Sequence, residues 1–123
     1  MTPTELAENP AVRRWFTSAN LDELDEEDKT HRLALLADFC AQIGQQPEEL
    51  VSGLLRTTKD GDTAISAKRR TLMNATINEF VEKSGFTGKD AVVNGNIIRS
   101  FLVHNGIFIQ GRAWRAGASP AAS

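Results

Sequence analysis

Apolar side chains return along this chain every three or four residues, which is the spacing of one face of an α-helix. The stretch 63–83 shows this best and predicts one long helix with a core-facing stripe. The stripe consists of Ile65, Leu72, Met73, Ile77, Phe80 and Val81. A second stretch, about 29–43, predicts another long helix. Its apolar face holds Leu33, Leu36, Ala37, Cys40 and Ile43.

Shorter helices are predicted on either side of the 29–43 stretch. Val12, Trp15 and Phe16 mark a short first helix, which the acidic segment 22–28 separates from the long one. Pro47, followed by Glu48 and Glu49, is typical of a helix start. Residues 59–62, Lys-Asp-Gly-Asp, predict a polar turn.

The segment 85–109, GFTGKDAVVNGNIIRSFLVHNGIFI, combines a turn, a helix and a stop. Gly85 and Gly88 break the preceding helix, and a fifth helix is expected over about 89–104. Asn105-Gly106 tolerates left-handed backbone geometry and should end it, so that residues 107–109 leave in a new direction. Gly95 costs about 1 kcal/mol relative to alanine inside a helix, which favours a kink there.

These elements predict an all-α protein, a compact bundle of four to five helices, with no strand signal beyond residues 107–109. We expect residues 1–8 to be a flexible N-terminus, 9–112 to form the helical domain, and 113–123 to be a disordered tail or a truncated linker. A chain of 123 residues with 41% apolar content suits one soluble domain. It shows neither a membrane-spanning run nor a signal peptide, so a cytoplasmic location is expected.

The residue types argue against most enzyme chemistry. Cys40, the single cysteine, lies on an apolar helical face and is interpreted as a buried small side chain. Two widely spaced histidines and one cysteine do not form a zinc pattern, and no nucleophile–base pair or phosphate loop is visible. We therefore expect no catalytic residues, metal, cofactor or small-molecule substrate.

The charge is distributed unevenly, although its total is only −2. Residues 1–55 carry four Lys or Arg against eleven Asp or Glu, a formal charge of −7. Residues 56–123 carry ten against five, a formal charge of +5. Phosphates respond to the local field, which salt screens within about 8 Å, so the second half is suited to nucleic acid.

Two groups of residues are candidate DNA contacts. Lys89, Asn96 and Arg99 are predicted on the outer face of the fifth helix, with Thr87 and Lys89 at its start, where free N–H groups attract phosphate. Lys68, Arg69 and Arg70 form the second group, near the start of the fourth helix. Three cations there oppose the helix dipole unless a polyanion offsets them, and Arg69 must extend past the core or find a partner. Arg112, like Arg115, would suit a linker that crosses the DNA backbone.

Three segments together resemble the N-terminal core-binding domain of tyrosine recombinases, the phage-integrase family. They are residues 9–15, NPAVRRW; residues 36–51, LADFCAQIGQQPEELV; and residues 85–109. The resemblance covers about 9–112 and implies a SAM-like bundle whose last helix faces double-stranded DNA. It also implies that the tyrosine nucleophile belongs to a separate C-terminal catalytic domain, since this chain contains no tyrosine. The expected partners are that domain, sister protomers on DNA, and the recombination site.

Some features depart from the family pattern and leave alternatives open. Val92 and Val93 replace polar or basic residues, and Gly95 replaces an aliphatic one. A protein-interaction module remains an alternative, with the acidic segment 22–28 docking a basic surface. A helix-turn-helix regulator, using residues 85–88 as the turn, is a third interpretation.

Overall fold

Six α-helices and one short β-hairpin make up residues 2–109, the part of the chain that the computed structural model describes. The helices are α1 Pro3–Ala7, α2 Pro10–Ser18, α3 Glu26–Ile43, α4 Pro47–Ser52, α5 Ala67–Lys83 and α6 Gly88–Val103. The strands are β1 Leu55–Thr57 and β2 Thr63–Ile65, and a 3₁₀ turn spans Leu21–Glu23. None of the described helices is long and apolar enough to cross a membrane.

Side-chain caps set where several of these helices begin. The Asn9 side chain accepts hydrogen bonds from the backbone N–H groups of Ala11 and Val12, at 2.9 and 3.3 Å, and so starts α2. Asp25 starts α3 in the same way. Such caps satisfy donors that the first helical turn leaves free. At the other end of α3, Gly44 adopts the left-handed conformation, with φ of 68°, that terminates a helix.

One apolar core joins the helices and confirms the predicted all-α bundle. Trp15, Phe39 and Phe101 are fully buried within it. The Trp15 ring meets Phe101 edge-on at 5.6 Å between ring centroids, and its indole N–H donates to Ser100 Oγ at 3.1 Å. Cys40 is buried as expected, and burial raises the pKa of its thiol to about 11. A thiol with so high a pKa stays protonated at neutral pH, which makes it a poor nucleophile.

The N-terminus differs from the sequence-based expectation. Within the segment 1–8, predicted to be flexible, Pro3–Ala7 forms α1, whose start is capped by the Thr2 side chain. Leu6 is fully buried in the core. Burial of one leucine stabilises by roughly 1.5–3 kcal/mol and so helps to hold a helical turn that has no periodic pattern of its own.

The β-hairpin also differs from the sequence-based expectation, which extended the fourth helix back to residue 63. Instead β1 pairs antiparallel with β2, with Leu55 opposite Ile65 and Arg56 opposite Ala64. Thr57, Thr63 and Ile65 are β-branched, and β-branched side chains favour strands. The predicted polar turn at 59–62 is confirmed, as the connection between the two strands. Ile65 fitted the helical stripe because a strand of three residues is too short to show whether its apolar side chains repeat every two residues, as in a strand, or every 3.6, as in a helix.

Helices α5 and α6 run antiparallel after the four-residue turn 84–87. Ile77 and Val81 lie against Gly95, while Asn74 and Asn78 contact Arg99. The start of α5 therefore lies beside the end of α6. Beyond α6, residues 107–109 form no strand, but Ile107 and Ile109 return to the core at 1% and 4% exposed. Arg112, Arg115 and the predicted tail 113–123 lie outside the described residues.

Candidate nucleic-acid interface

Cations from three separate parts of the chain meet where α5 begins and α6 ends. Arg14 of α2 donates from Nε to Asn105 Oδ1 at 2.9 Å, and Arg70 of α5 donates from Nη1 to the Phe108 carbonyl at 3.2 Å. Residues 105 and 108 are three positions apart, which limits their Cα separation to about 11 Å. The two arginines therefore attach to the same short exit segment.

The β-hairpin adds its charge to the same place. Arg69 Nη1 donates to the carbonyls of Gly53 and Leu55, at 3.3 and 3.2 Å, and so ties the start of α5 to β1. Arg69 is thus accommodated near the core by binding backbone oxygens. We call the resulting cluster the basic end. It comprises Arg14, Arg56, Lys59, Lys68, Arg69 and Arg70.

The basic end keeps most of its charge available. Arg56, Lys59 and Lys68 are exposed. The three ion pairs found between residues 2 and 109 use other cations, namely Arg13, Lys29 and Lys83. Asp60 and Asp62 in the hairpin turn offset two of the six positive charges. A net positive surface of this kind attracts polyanions.

A shallow concavity of about 430 Å³ extends the basic end along α2. Its lining includes Arg14, Thr17, Ser18 and His104, which all carry hydrogen-bonding groups. Ser18 Oγ and His104 Nδ1 lie 2.7 Å apart. Hydroxyl, imidazole and guanidinium groups are the side chains that commonly bind phosphate oxygens. The concavity therefore places hydroxyl and imidazole groups beside Arg14.

Asn105 connects the parts of this surface. Besides accepting from Arg14, its amide donates to the carbonyls of Ala11 and Phe101, at 3.0 and 2.9 Å. The sequence predicted the Asn105-Gly106 stop, and Gly106 has the left-handed φ of 90° that it requires. The side chain's second role, fixing α2 and Arg14 against α6, was not visible in the sequence.

We expect Asn105→Ala to loosen this end of the bundle. The substitution leaves two carbonyls and one guanidinium N–H without their partner, and each net hydrogen bond contributes about 1 kcal/mol. Urea denaturation should show a loss of about 1–2 kcal/mol in unfolding free energy. Gln45→Ala is the matched control, because Gln45 is an exposed amide whose side chain makes no hydrogen bond within residues 2–109. An unchanged stability in Asn105→Ala would contradict the bridging role.

Arg99 is not on the exposed face where the sequence placed it. Only 2% of it is exposed, and its guanidinium lies between α5 and α6. It donates to three asparagine Oδ1 atoms: from Nε to Asn74 at 2.6 Å, from Nη2 to Asn78 at 2.8 Å, and from Nη1 to Asn96 at 3.1 Å. The prediction that Arg99 lies on the DNA-facing side is therefore wrong, and the Asn96 Oδ1 atom serves this buried cluster.

Gly95 explains why Arg99 can lie inside. A Cβ added at Gly95 would stand 2.9 Å from Arg99 Nη1, closer than side-chain atoms normally approach. The glycine, for which the sequence suggested a kink, thus makes room for the guanidinium. From the sequence of one helix, a charged arginine is expected to face solvent. Arg99 can be buried here because Asn74 and Asn78 of the neighbouring helix accept its hydrogen bonds.

Thr87 and Lys89 of the first predicted group lie at the opposite end of the α5–α6 pair from the second group, Lys68–Arg70. Thr87 and Lys89 are exposed at the start of α6, and Thr87 makes no side-chain cap hydrogen bond. This start lies beside the end of α5, whose length from Lys68 to Lys83 corresponds to about 22 Å at 1.5 Å per residue. Lys68, Arg69 and Arg70 belong to the basic end. The sequence predicted none of Arg14, Arg56 and Lys59 as contacts. Arg14 was missed because it belongs to the acidic half of the chain, and Arg56 and Lys59 were counted only in the charge of the basic half.

A separate groove of about 400 Å³ lies between α3 and α6, near the start of α6. Asp28, Asp90 and Arg32 are its charged lining residues, and Phe86 and Val93 contribute apolar side chains. His31 Nε2 lies 2.8 Å from Asn94 Oδ1. Residues 2–109 contain no group of three or more histidine, cysteine or acidic side chains placed to hold a metal ion. The groove lining is thus mixed, with both polar and apolar side chains.

Comparison with known proteins found no match for this chain among family models, curated proteins or solved structures.

Proposed function

We propose that this chain is a DNA-binding domain whose basic end contacts the phosphates of duplex DNA. The convergence of Arg14, Arg70 and the β-hairpin on one end of the bundle is the observation that carries the proposal. Lys and Arg side chains at such a surface release the counterions condensed on DNA, and this release supplies most of the binding free energy.

The shape of the basic end supports contact with a groove as well as with the backbone. The major groove, about 12 Å wide, admits a two-stranded β-ribbon. Here the ribbon is the β1–β2 hairpin, with Lys59 in its turn and Arg56 on a strand. Phosphate contacts from Arg14 and Lys68 would flank it. Such contacts set the position of a protein on DNA, while the hairpin reaches base edges.

The resemblance to tyrosine recombinases specifies the process that this DNA binding would serve. On that basis the chain is the core-binding domain, which clamps one side of a recombination site for a catalytic domain that follows it. The described chain reaches Ile109 at the basic end, close to Phe108 and Arg70. The tyrosine nucleophile would come from that domain, because this chain has none.

The proposal is tested by measuring duplex affinity as a function of salt. If about four phosphates are neutralised, a plot of log affinity against log salt should have a slope of about −3.6. Fluorescence anisotropy with a labelled duplex of about 20 base pairs measures it directly. A chain that shows no duplex binding at about 50 mM salt would overturn the proposal, because the electrostatic contribution is largest there.

A protein-interaction module is the second candidate, favoured by the groove between α3 and α6. Asp28 and Asp90 on its rim can pair with a basic segment, although Arg32 lines the same groove. Backbone amide signals separate the two functions. Duplex DNA should shift the signals of Arg56–Arg70, whereas a partner protein should shift those of residues near His31 and Val93. A helix-turn-helix protein, with α6 as the recognition helix, would instead show duplex-induced shifts around Lys89.

A further inference from the structure

Phe108 is the most exposed of the large apolar side chains between residues 2 and 109, at 70%. Its two neighbours, Ile107 and Ile109, are almost completely buried. The Ile107 N–H donates to the Leu102 carbonyl at 2.9 Å, and the Phe108 carbonyl accepts from Arg70. The backbone on both sides of Phe108 is therefore anchored, and its ring is held in solvent by the packing of its neighbours.

Two arginines attach to the short segment that carries this ring. Arg70 binds the Phe108 carbonyl itself, and Arg14 binds Asn105 three residues earlier. Scattered exposed apolar side chains are ordinary on protein surfaces and need no ligand. Phe108 differs from these because its own carbonyl is bonded to an arginine and a second arginine attaches three residues earlier, so an anionic ligand drawn to this segment would come close to the exposed ring.

We propose that Phe108 is a stacking residue that contacts an unstacked base of the bound DNA. This inference rests on the proposed DNA-binding function. It specifies that the preferred DNA ligands are duplexes that open easily at one base step. Aromatic side chains bind unstacked bases by stacking on their faces, and this contact tolerates any base because each base has such a face. Flexible pyrimidine–purine steps, such as TA and CA, unstack at the least cost and are the expected positions.

The expected signature is a preference for DNA in which a base is already unstacked. A duplex with a single-base bulge has already met part of the unstacking cost, so it should bind about tenfold more tightly than the same duplex fully paired. Stacking on an aromatic ring contributes about 1–3 kcal/mol per base, which corresponds to about 5- to 150-fold in affinity. Phe108→Ala should therefore remove the preference, so that the bulged and the fully paired duplex bind with about equal affinity.

Three further variants make the test specific. Phe108→Trp should retain the preference, because it keeps an aromatic face, and Phe108→Leu should lose most of it although it remains apolar. Val93→Ala is the matched control: Val93 is also apolar and 45% exposed, but it lies at the opposite end of α6. The control should keep both the affinity and the preference. The melting temperature should be unchanged in all four variants, because the Phe108 and Val93 side chains are both exposed.

The outcomes separate this inference from the function on which it rests. If the wild-type chain binds neither duplex, both proposals fail. If it binds both duplexes equally, or if Phe108→Ala keeps the preference for the bulge, the stacking role fails and DNA binding stands. A uniform loss of affinity in Phe108→Ala, with the preference intact, would also overturn stacking, because it would show a packing contact with no base selectivity.

Discussion

Reversing the charge of Arg56, Lys59 and Lys68 together to glutamate is expected to lower duplex affinity about 100-fold at 0.1 M salt. All three side chains are exposed, and none contributes to the three ion pairs of residues 2–109. The slope of log affinity against log salt should fall in magnitude by about 0.9 for each phosphate that the variant no longer neutralises. Anisotropy titrations at several salt concentrations measure both quantities, and circular dichroism checks that the variant folds.

The matched control reverses the same number of charges at the other end of the bundle. Arg32, Lys83 and Lys89, changed together to glutamate, alter the net charge equally but lie near the start of α6 or the end of α5. Because Lys83 pairs with Glu79, circular dichroism must show that this variant also folds. We expect a much smaller loss of affinity, since charges beyond about 8 Å from the phosphates are largely screened. If this control loses as much affinity as the first variant, or more, the interface is at the start of α6.

Arg99→Ala should destabilise the fold strongly and affect DNA binding only through folding. The substitution removes a buried guanidinium and leaves the Oδ1 atoms of Asn74, Asn78 and Asn96 without these donors. Hydrogen bonds to charged groups contribute about 1.5–3 kcal/mol each, so a total loss of about 3 kcal/mol or more is expected. The melting temperature should fall by about 10 °C or more. Arg99→Lys should restore little, because an ammonium group cannot replace the planar fork.

A stability measurement on Arg99→Ala separates the buried role of this residue from the exposed one that the sequence suggested. An exposed phosphate-binding arginine could be replaced with little change in stability and a clear loss of affinity. A buried one should show the reverse when affinity is measured well below the melting temperature. Normal stability together with weakened DNA binding in Arg99→Ala would therefore contradict the structure.

Gly95→Ala supplies an independent check on the same cluster. Within a helix, glycine to alanine normally stabilises by about 1 kcal/mol. Here the new Cβ would stand 2.9 Å from Arg99 Nη1, so we expect destabilisation instead. In the Arg99→Ala background the crowding disappears, and the same change should be neutral or stabilising. Additive effects of the two substitutions would show that Gly95 and Arg99 do not interact.

Much of the fold could be predicted because it depends on local periodicity and local caps. The Pro47 start of α4, the Asn105-Gly106 stop and most of the apolar faces of α3 and α5 follow from spacing and backbone preference within a few residues. Leu72 is an exception: its spacing placed it on the core-facing stripe of α5, but it is 58% exposed, so that prediction is wrong. The strand at Thr63–Ile65 could not be separated from the helix that follows it. Its partner, Leu55–Thr57, lies across a turn, and pairing of this kind is a non-local contact.

The candidate site also combines local features, which the sequence predicts, with non-local contacts, which it does not. The sequence alone determined that cations concentrate after residue 55, that Lys68, Arg69 and Arg70 open a helix, and that no tyrosine is present. Only the tertiary structure decided which charges share a surface. It brought Arg14 from the acidic half to the basic end, because Asn105 joins α2 to α6, and it buried Arg99, because Gly95 and two asparagines of α5 surround its guanidinium. A side chain's exposure depends on the element packed against it, and no single helix carries that information.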